Sequence, residues 1–258
     1  MKSIKNLLLA CALVSTASGA VTISDTYDLG GFGGAPTDLG GGVFGYDLTI
    51  TGFTAAGTDK LVLMYSSRYS TNSEGGAGIT SITYGGNALT NAIYHDGSDD
   101  QGRRGTGVIA YLDNVTVDGN LRIELDASEQ TSYSFGLFAL NGTAAGVSDT
   151  ALSSSDSTPA TVTVSTSTGF TLQEAVRNNQ TLTASTAGYT TLHNLSSGSD
   201  RILSQYQLTT SAGDYSAAVG NAASMLILGA SFDAAAIPEP STLFLVGLGS
   251  LILLRRRR

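Results

Sequence analysis

Phe44, Tyr46, Leu48 and Ile50 alternate with Gly45, Asp47 and Thr49, and this two-residue rhythm returns along the chain. Leu121, Ile123 and Leu125 alternate with Arg122, Glu124 and Asp126. Tyr133, Phe135, Leu137 and Ala139 alternate with Ser134, Gly136 and a lone Phe138, and Tyr206 and Leu208 with Gln205 and Gln207. A period of two over four to eight residues places apolar side chains on one face of a β-strand. Leu61 to Tyr65, Gly107 to Leu112 and Met225 to Leu228 are apolar at nearly every position, which predicts central strands covered on both faces. No window holds a 3.6-residue period. Phe170 to Asn178 comes nearest and reads as another strand.

The punctuation agrees with strands. The chain has 32 glycines and only four prolines, and glycine supplies the positive φ that tight turns need. Gly85-Gly86-Asn87 between Ile82-Thr83-Tyr84 and Ala88-Leu89 predicts a hairpin, and Asp118-Gly119 leads into the Leu121 strand in the same way. The Gly-rich stretch Gly30 to Gly34 has no strand–turn–helix context and is not a dinucleotide fingerprint. Residues 21–236 are therefore expected to be all-β, an antiparallel β-sandwich of jelly-roll type. A single domain is preferred, with Ser153 to Pro159 as the best internal boundary. No sequence repeat is apparent.

Both ends differ from this middle. Lys2 and Lys5 precede the apolar Leu7 to Val14 and the small residues Ser18-Gly19-Ala20. These are the three parts of a secretory signal peptide, expected to span residues 1–20. Its removal takes Cys11, the chain's one cysteine, so no internal disulfide can form. It also takes Lys2 and Lys5, which leaves 11 basic residues against 21 acidic ones. An acidic exported domain repels nucleic acid, so no nucleic-acid partner is expected.

At the other end, Ile237-Pro238-Glu239-Pro240 leads into Ser241 to Leu254, a run without charge, and then Arg255, Arg256, Arg257 and Arg258. As a helix the uncharged run is roughly 21 Å long, short of the ~30 Å hydrocarbon layer. Arginine stems that snorkel to the headgroups extend the effective span. A block of four arginines does not suit a protein core. The expectation is one C-terminal transmembrane helix, with the arginines as a cytoplasmic stop-transfer end and the β-domain outside.

Pro238-Glu239-Pro240, a short hydrophobic helix and a terminal arginine cluster, in that order, resemble the PEP-CTERM sorting domain of exported bacterial proteins. The resemblance covers residues 237–258. It implies export, transient membrane anchoring and recognition by an exosortase-type processing enzyme, with Pro238, Glu239 and Pro240 as the recognised motif. It also implies a place in the cell envelope, at the cell surface or in an extracellular polysaccharide matrix. This chain would be the substrate of that enzyme.

The middle of the chain carries little recognisable chemistry. Two histidines, His95 and His193, do not make a zinc set, and no cofactor is expected. Glu124, Glu129 and Glu174 are the candidate glycosidase carboxylates, although Glu124 falls on the wet face of its strand. Serine is so abundant that a Ser–His–Asp meeting in space cannot be read from the sequence. Asp96, Ser98 and Asp100 have the oxygen spacing of a calcium loop, but Gly107 stands at the twelfth position, where a bidentate glutamate would belong. Tyr65, Tyr69 and Tyr94 lie near predicted loop ends, where exposed rings would stack on sugars. The sequence thus points to a non-enzymatic exported protein with a structural or adhesive sandwich. The alternative is a carbohydrate-binding module acting on matrix polysaccharide.

Overall fold

The computed structural model describes residues 19–69, 78–95, 105–126, 130–155, 160–178, 182–184, 187–197, 200–220 and 225–237. The expected signal residues 1–18, Pro238-Glu239-Pro240, the apolar run, Arg255 to Arg258, Glu129, and Asp96 to Asp100 lie outside them. Among the described residues no helix is long and apolar enough to cross a membrane.

The described chain is all-β, as the alternation predicts, and its sheets are antiparallel. The first half contributes β1 (Thr22–Asp28), β2 (Thr37–Asp38), β3 (Phe44–Leu48), β4 (Lys60–Tyr69) and β5 (Ile79–Tyr84). It continues with β6 (Asn87–Ala88), β7 (Thr90–His95), β8 (Gly105–Asp113), β9 (Leu121–Leu125) and β10 (Gln130–Asn141). One sheet runs β1-β10-β4-β8-β7 and the other β2-β3-β9-β5-β6. Leu61, Leu63, Tyr65, Ile123, Phe135 and Leu137 form the core between them.

The second half contributes β11 (Asp149–Ser155), β12 (Ala160–Thr166), β13 (Gly169–Asn178) and β14 (Thr183–Ala184). It ends with β15 (Thr190–Ser197), β16 (Asp200–Thr209), β17 (Gly213–Gly220) and β18 (Met225–Asp233). Its sheets run β11-β18-β13-β16-β15 and β12-β17-β14. Val162, Ala175, Leu203, Val219 and Ile227 fill the space between them.

The two halves repeat one topology. With the two-residue strands β2 and β6 set aside and the two-residue β14 kept, each half has eight strands in chain order among the described residues. In both halves the larger sheet runs first-eighth-third-sixth-fifth and the smaller second-seventh-fourth. Among the described residues, strands of one half pair only within that half, apart from a single bridge between Thr143 and Ala234. The chain passes between halves at residues 142–148, ahead of the expected boundary at Ser153 to Pro159. Ser153, Ser154 and Ser155 instead extend β11 along β18.

The larger sheets of the two halves pack face to face, giving four layers. Val62, Met64, Ile109, Phe138 and Leu140 meet Phe170, Leu172, Leu226, Leu228 and Phe232 in this middle core. That contact explains the runs without alternation. Leu61, Leu63 and Tyr65 of β4 point into the first core, while Val62 and Met64 point into the middle one. Two glycines permit the close approach of the two halves. A Cβ on Gly107 would lie 2.2 Å from Leu228, and one on Gly136 would lie 2.3 Å from Leu192.

The chain enters and leaves this stack at one place. Gly19 N–H donates to Ala235 O at 2.9 Å, and Ala235 N–H donates to Gly142 O at 2.7 Å. The predicted hairpin is also present. Gly85 and Gly86 both have positive φ (55° and 80°), and Tyr84 pairs with Asn87 across them.

Candidate functional site

The middle core changes character along its length. At the pole where Gly19 meets Ala235 it is aromatic, with Phe138 5.0 Å from both Phe170 and Tyr206, ring centre to ring centre. Toward the other pole the same strand faces carry polar groups. Ser66 follows Val62 and Met64 on β4, Glu174 follows Phe170 and Leu172 on β13, and Ser204 follows Tyr206 on β16. All three are fully buried.

The densest chemistry of the described residues lies at this polar end. Asp28 closes β1, an edge strand, and His193 sits on β15, the edge strand of the opposing sheet. The pairing of β15 with β16 shifts register between Thr191 and His193. Such an irregularity re-aims side chains, and here His193 is buried between the halves. His193 Nδ1 lies 2.9 Å from Asp28 Oδ1, and His193 Nε2 lies 2.7 Å from Ser204 Oγ. Burial pushes the Asp28 carboxyl up, but the hydrogen bonds from His193 and from Gly30 N–H outweigh it and hold the group below its ordinary range. With Asp28 ionised, the Nδ1–H of His193 donates to it, and Nε2 shares a hydrogen bond with the Ser204 hydroxyl.

This is the connectivity of a Ser–His–Asp triad. A working triad also needs room for a carbonyl carbon next to the serine oxygen. Ser204 is 0% exposed and His193 only 5%. The cross-strand neighbour of Ser204 on β13 is Glu174. The relay therefore fastens one half to the other through a chain of hydrogen bonds, and its hydroxyl end has no access from solvent.

Glu174 is the most perturbed carboxyl nearby. It is wholly buried, and neither of its oxygens reaches a partner in hydrogen-bond geometry. Burial pushes its pKa up to about 8, a rise that the nearby Ser66 hydroxyl offsets only in part. Under neutral conditions Glu174 is mostly a neutral acid at the seam between the two larger sheets.

The other sequence candidates separate in space. Glu124 lies on the outer face of the first sandwich, where it accepts from Arg122 Nε at 2.8 Å. Two sheets stand between it and Glu174, on the order of 20 Å. The two cannot act as a glycosidase pair. Tyr65 is fully buried, contrary to the expectation of an exposed ring, because the inner face of β4 meets Tyr46 and Tyr133 there. Tyr94 packs against the first core, and its hydroxyl accepts from Ile79 N–H at 3.2 Å.

A cleft of about 450 Å³ in the second half is lined by Ser148, Asp149, Ser165, Thr166, Asp214 and Asp233. Its carboxylates are occupied. Asp149 accepts from Ser165 N–H at 2.8 Å, Asp214 from Ser165 Oγ at 2.7 Å, and Asp233 from Thr166 Oγ1 and Ser167 N–H at 2.7 and 2.8 Å. No group of three or more metal-ligating side chains occurs among the described residues.

The sequence reading missed the relay. Its only signal was a lone histidine beside Leu192 in a serine- and threonine-rich segment. Partners that are 165 and 11 residues away along the chain leave no spacing motif.

Together these features define an all-β, sandwich-like protein whose β-region ends directly ahead of an apolar, arginine-terminated tail. That tail is a PEP-CTERM protein-sorting motif, matched over residues 236–258. The motif signals export and membrane-anchored sorting, implies a cell-envelope or extracellular location, and is consistent with an exosortase substrate. No curated protein and no solved structure matches the chain.

Proposed function

We propose that this protein is a non-enzymatic structural or adhesive component of the envelope or extracellular matrix. In this reading residues 1–20 direct export, Pro238, Glu239 and Pro240 are read by the exosortase, and the helix from Ser241 to Leu254 with Arg255 to Arg258 holds the precursor in the membrane. Each half of the β-region is a jelly roll, because first-eighth-third-sixth against second-seventh-fourth is the interleaving of that fold.

The observation that carries the reading is the position of the sorting motif directly after a fold whose one hydrogen-bonded Ser–His–Asp set, among the described residues, is sealed. A polysaccharide-binding role would need a ring free to stack on a sugar, and Tyr65 and Tyr94 are packed instead. Binding of the full chain to a glycan array, with and without calcium, separates the two roles. Specific retention on a polysaccharide would favour the binding module.

Fusing residues 237–258 to a neutral exported reporter tests the sorting. The tailed reporter is expected in the envelope or matrix, and the same reporter without the tail in the medium. Identical partitioning of the two would end the proposal.

A further inference from the structure

Lys60 is the anomaly of the aromatic pole. It opens β4, and its side chain is completely buried, although lysine almost never is. Directly opposite on β8 stands Asp113, whose Oδ1 pairs with Lys60 Nζ. The ammonium lies over the Tyr111 ring at 4.5 Å and the Phe232 ring at 5.2 Å from the centroids, so its surroundings are apolar. One residue, Gly146, touches both partners through its backbone. Its N–H donates to Asp113 Oδ2 at 2.9 Å, and its C=O accepts from Lys60 Nζ at 2.8 Å. Gly146 has a φ of +80°, which side-chain-bearing residues rarely adopt.

We propose that Lys60 and Asp113 condense into an intramolecular amide, an isopeptide bond that welds β4 to β8. The two groups are held opposite each other on paired strands, which removes most of the entropic cost of bringing them together. Burial lowers the pKa of Lys60, against the pull of Asp113 and Asp59, and so favours the neutral amine that the reaction needs.

The steps balance. A proton passes from Nζ to Asp113 Oδ1, turning the ion pair into an amine and a carboxylic acid. The Nζ lone pair attacks Cγ, and the charge that develops on Oδ2 is received by Gly146 N–H, as in an oxyanion hole. A second proton then passes from Nζ to the Oδ1 hydroxyl, and the C–Oδ1 bond breaks to release it as water. Ammonium plus carboxylate become one amide and one water, with no oxidant or outside group required. The Asp113 side chain is 26% exposed, which gives the water a way out. The proposal is independent of how the tail is sorted.

Peptide mapping by mass spectrometry on the full-length protein, folded at neutral pH, tests it. The expected result is an intact mass lower by one water and a branched peptide joining the Lys60 and Asp113 segments, with no tryptic cleavage after Lys60. Asp113→Ala is expected to restore the full mass and the cleavage. Linear peptides carrying unmodified Lys60 and Asp113 in the wild-type protein would overturn the proposal and leave an ordinary ion pair. Because the wild-type map decides alone, the test stands even if the variant does not fold.

Discussion

Asp28 and His193, 165 residues apart in the chain, are joined by a 2.9 Å hydrogen bond that crosses from the last residue of one edge strand to an irregularity in another. The bond lies at the seam of two sandwiches that share no continuous strand pairing. His193→Ala would strip Ser204 of its buried partner and leave the Asp28 carboxylate with only Gly30 N–H. A loss of about 2–3 kcal/mol is expected, read as a lower urea midpoint. A serine-directed phosphonylating probe is expected to leave Ser204 unlabelled in the folded wild type. Labelling at Ser204 would show an open site and contradict the non-enzymatic reading.

Glu174 sets the alkaline limit of stability. Its carboxyl holds a proton up to about pH 8 in the folded state, against an ordinary value of 4.5. Between those values the folded chain binds more protons than the unfolded one, so stability falls as pH rises and levels off above the folded pKa. From about pH 6 to about pH 9 the expected loss from this group is ~2–3 kcal/mol. Glu174→Gln, which keeps the shape without the charge, is expected to flatten the profile. Thermal melts of both proteins across that range check it, and equal slopes would refute the assignment.

Asp28 acts in the opposite direction. Its folded pKa is depressed, so its contribution is present above the ordinary carboxylate range and is lost as acid brings the pH down through the folded value. Asp28→Asn is expected to be less sensitive to acid than the wild type, with no change in the alkaline limb. Acid titration of tertiary structure by near-ultraviolet circular dichroism checks this.

Gly107 and Gly136 permit the close approach of the larger sheets. At each, an added methyl would overlap a leucine of the other half, Leu228 and Leu192 respectively. Gly107→Ala and Gly136→Ala are each expected to cost about 1–3 kcal/mol, the usual penalty of overpacking. Gly86→Ala meets no atom within 4 Å but sits at a φ of +80°. Its cost is expected to come from backbone strain at one turn and to leave the seam unchanged. Unfolding midpoints of the three variants distinguish these effects.

Much of the fold was legible in the sequence because strand signals are local. The alternation at Phe44 to Ile50 and Leu121 to Leu125, the both-faced runs at Leu61 to Tyr65 and Met225 to Leu228, and the Gly85-Gly86 hairpin all correspond to observed strands and turns. Reading Phe170 to Asn178 as a strand is also correct, since it lies in β13. The repeated topology was not legible, because a shared strand order needs no shared side chains. Tyr65 went astray for a related reason. Its nearness to a loop was local information, whereas its burial comes from Tyr46 and Tyr133 on other strands. The relay and the Lys60–Asp113 pair belong to the same category, since both depend on partners brought together only by sheet packing. The tail was readable because its signal is linear: Pro238-Glu239-Pro240, grease and arginines in order.

Val21 and Ala234 share the middle core, so the β-region has a single doorway for both of its ends. Such a unit can be cut out and spliced, through two short joints, into an exposed hairpin of an unrelated host without stretching either partner. The same proximity allows the old ends to be bridged and the chain reopened elsewhere. The fold is thus portable cargo, carried equally well as the front of a tethered precursor or as an insert in something larger.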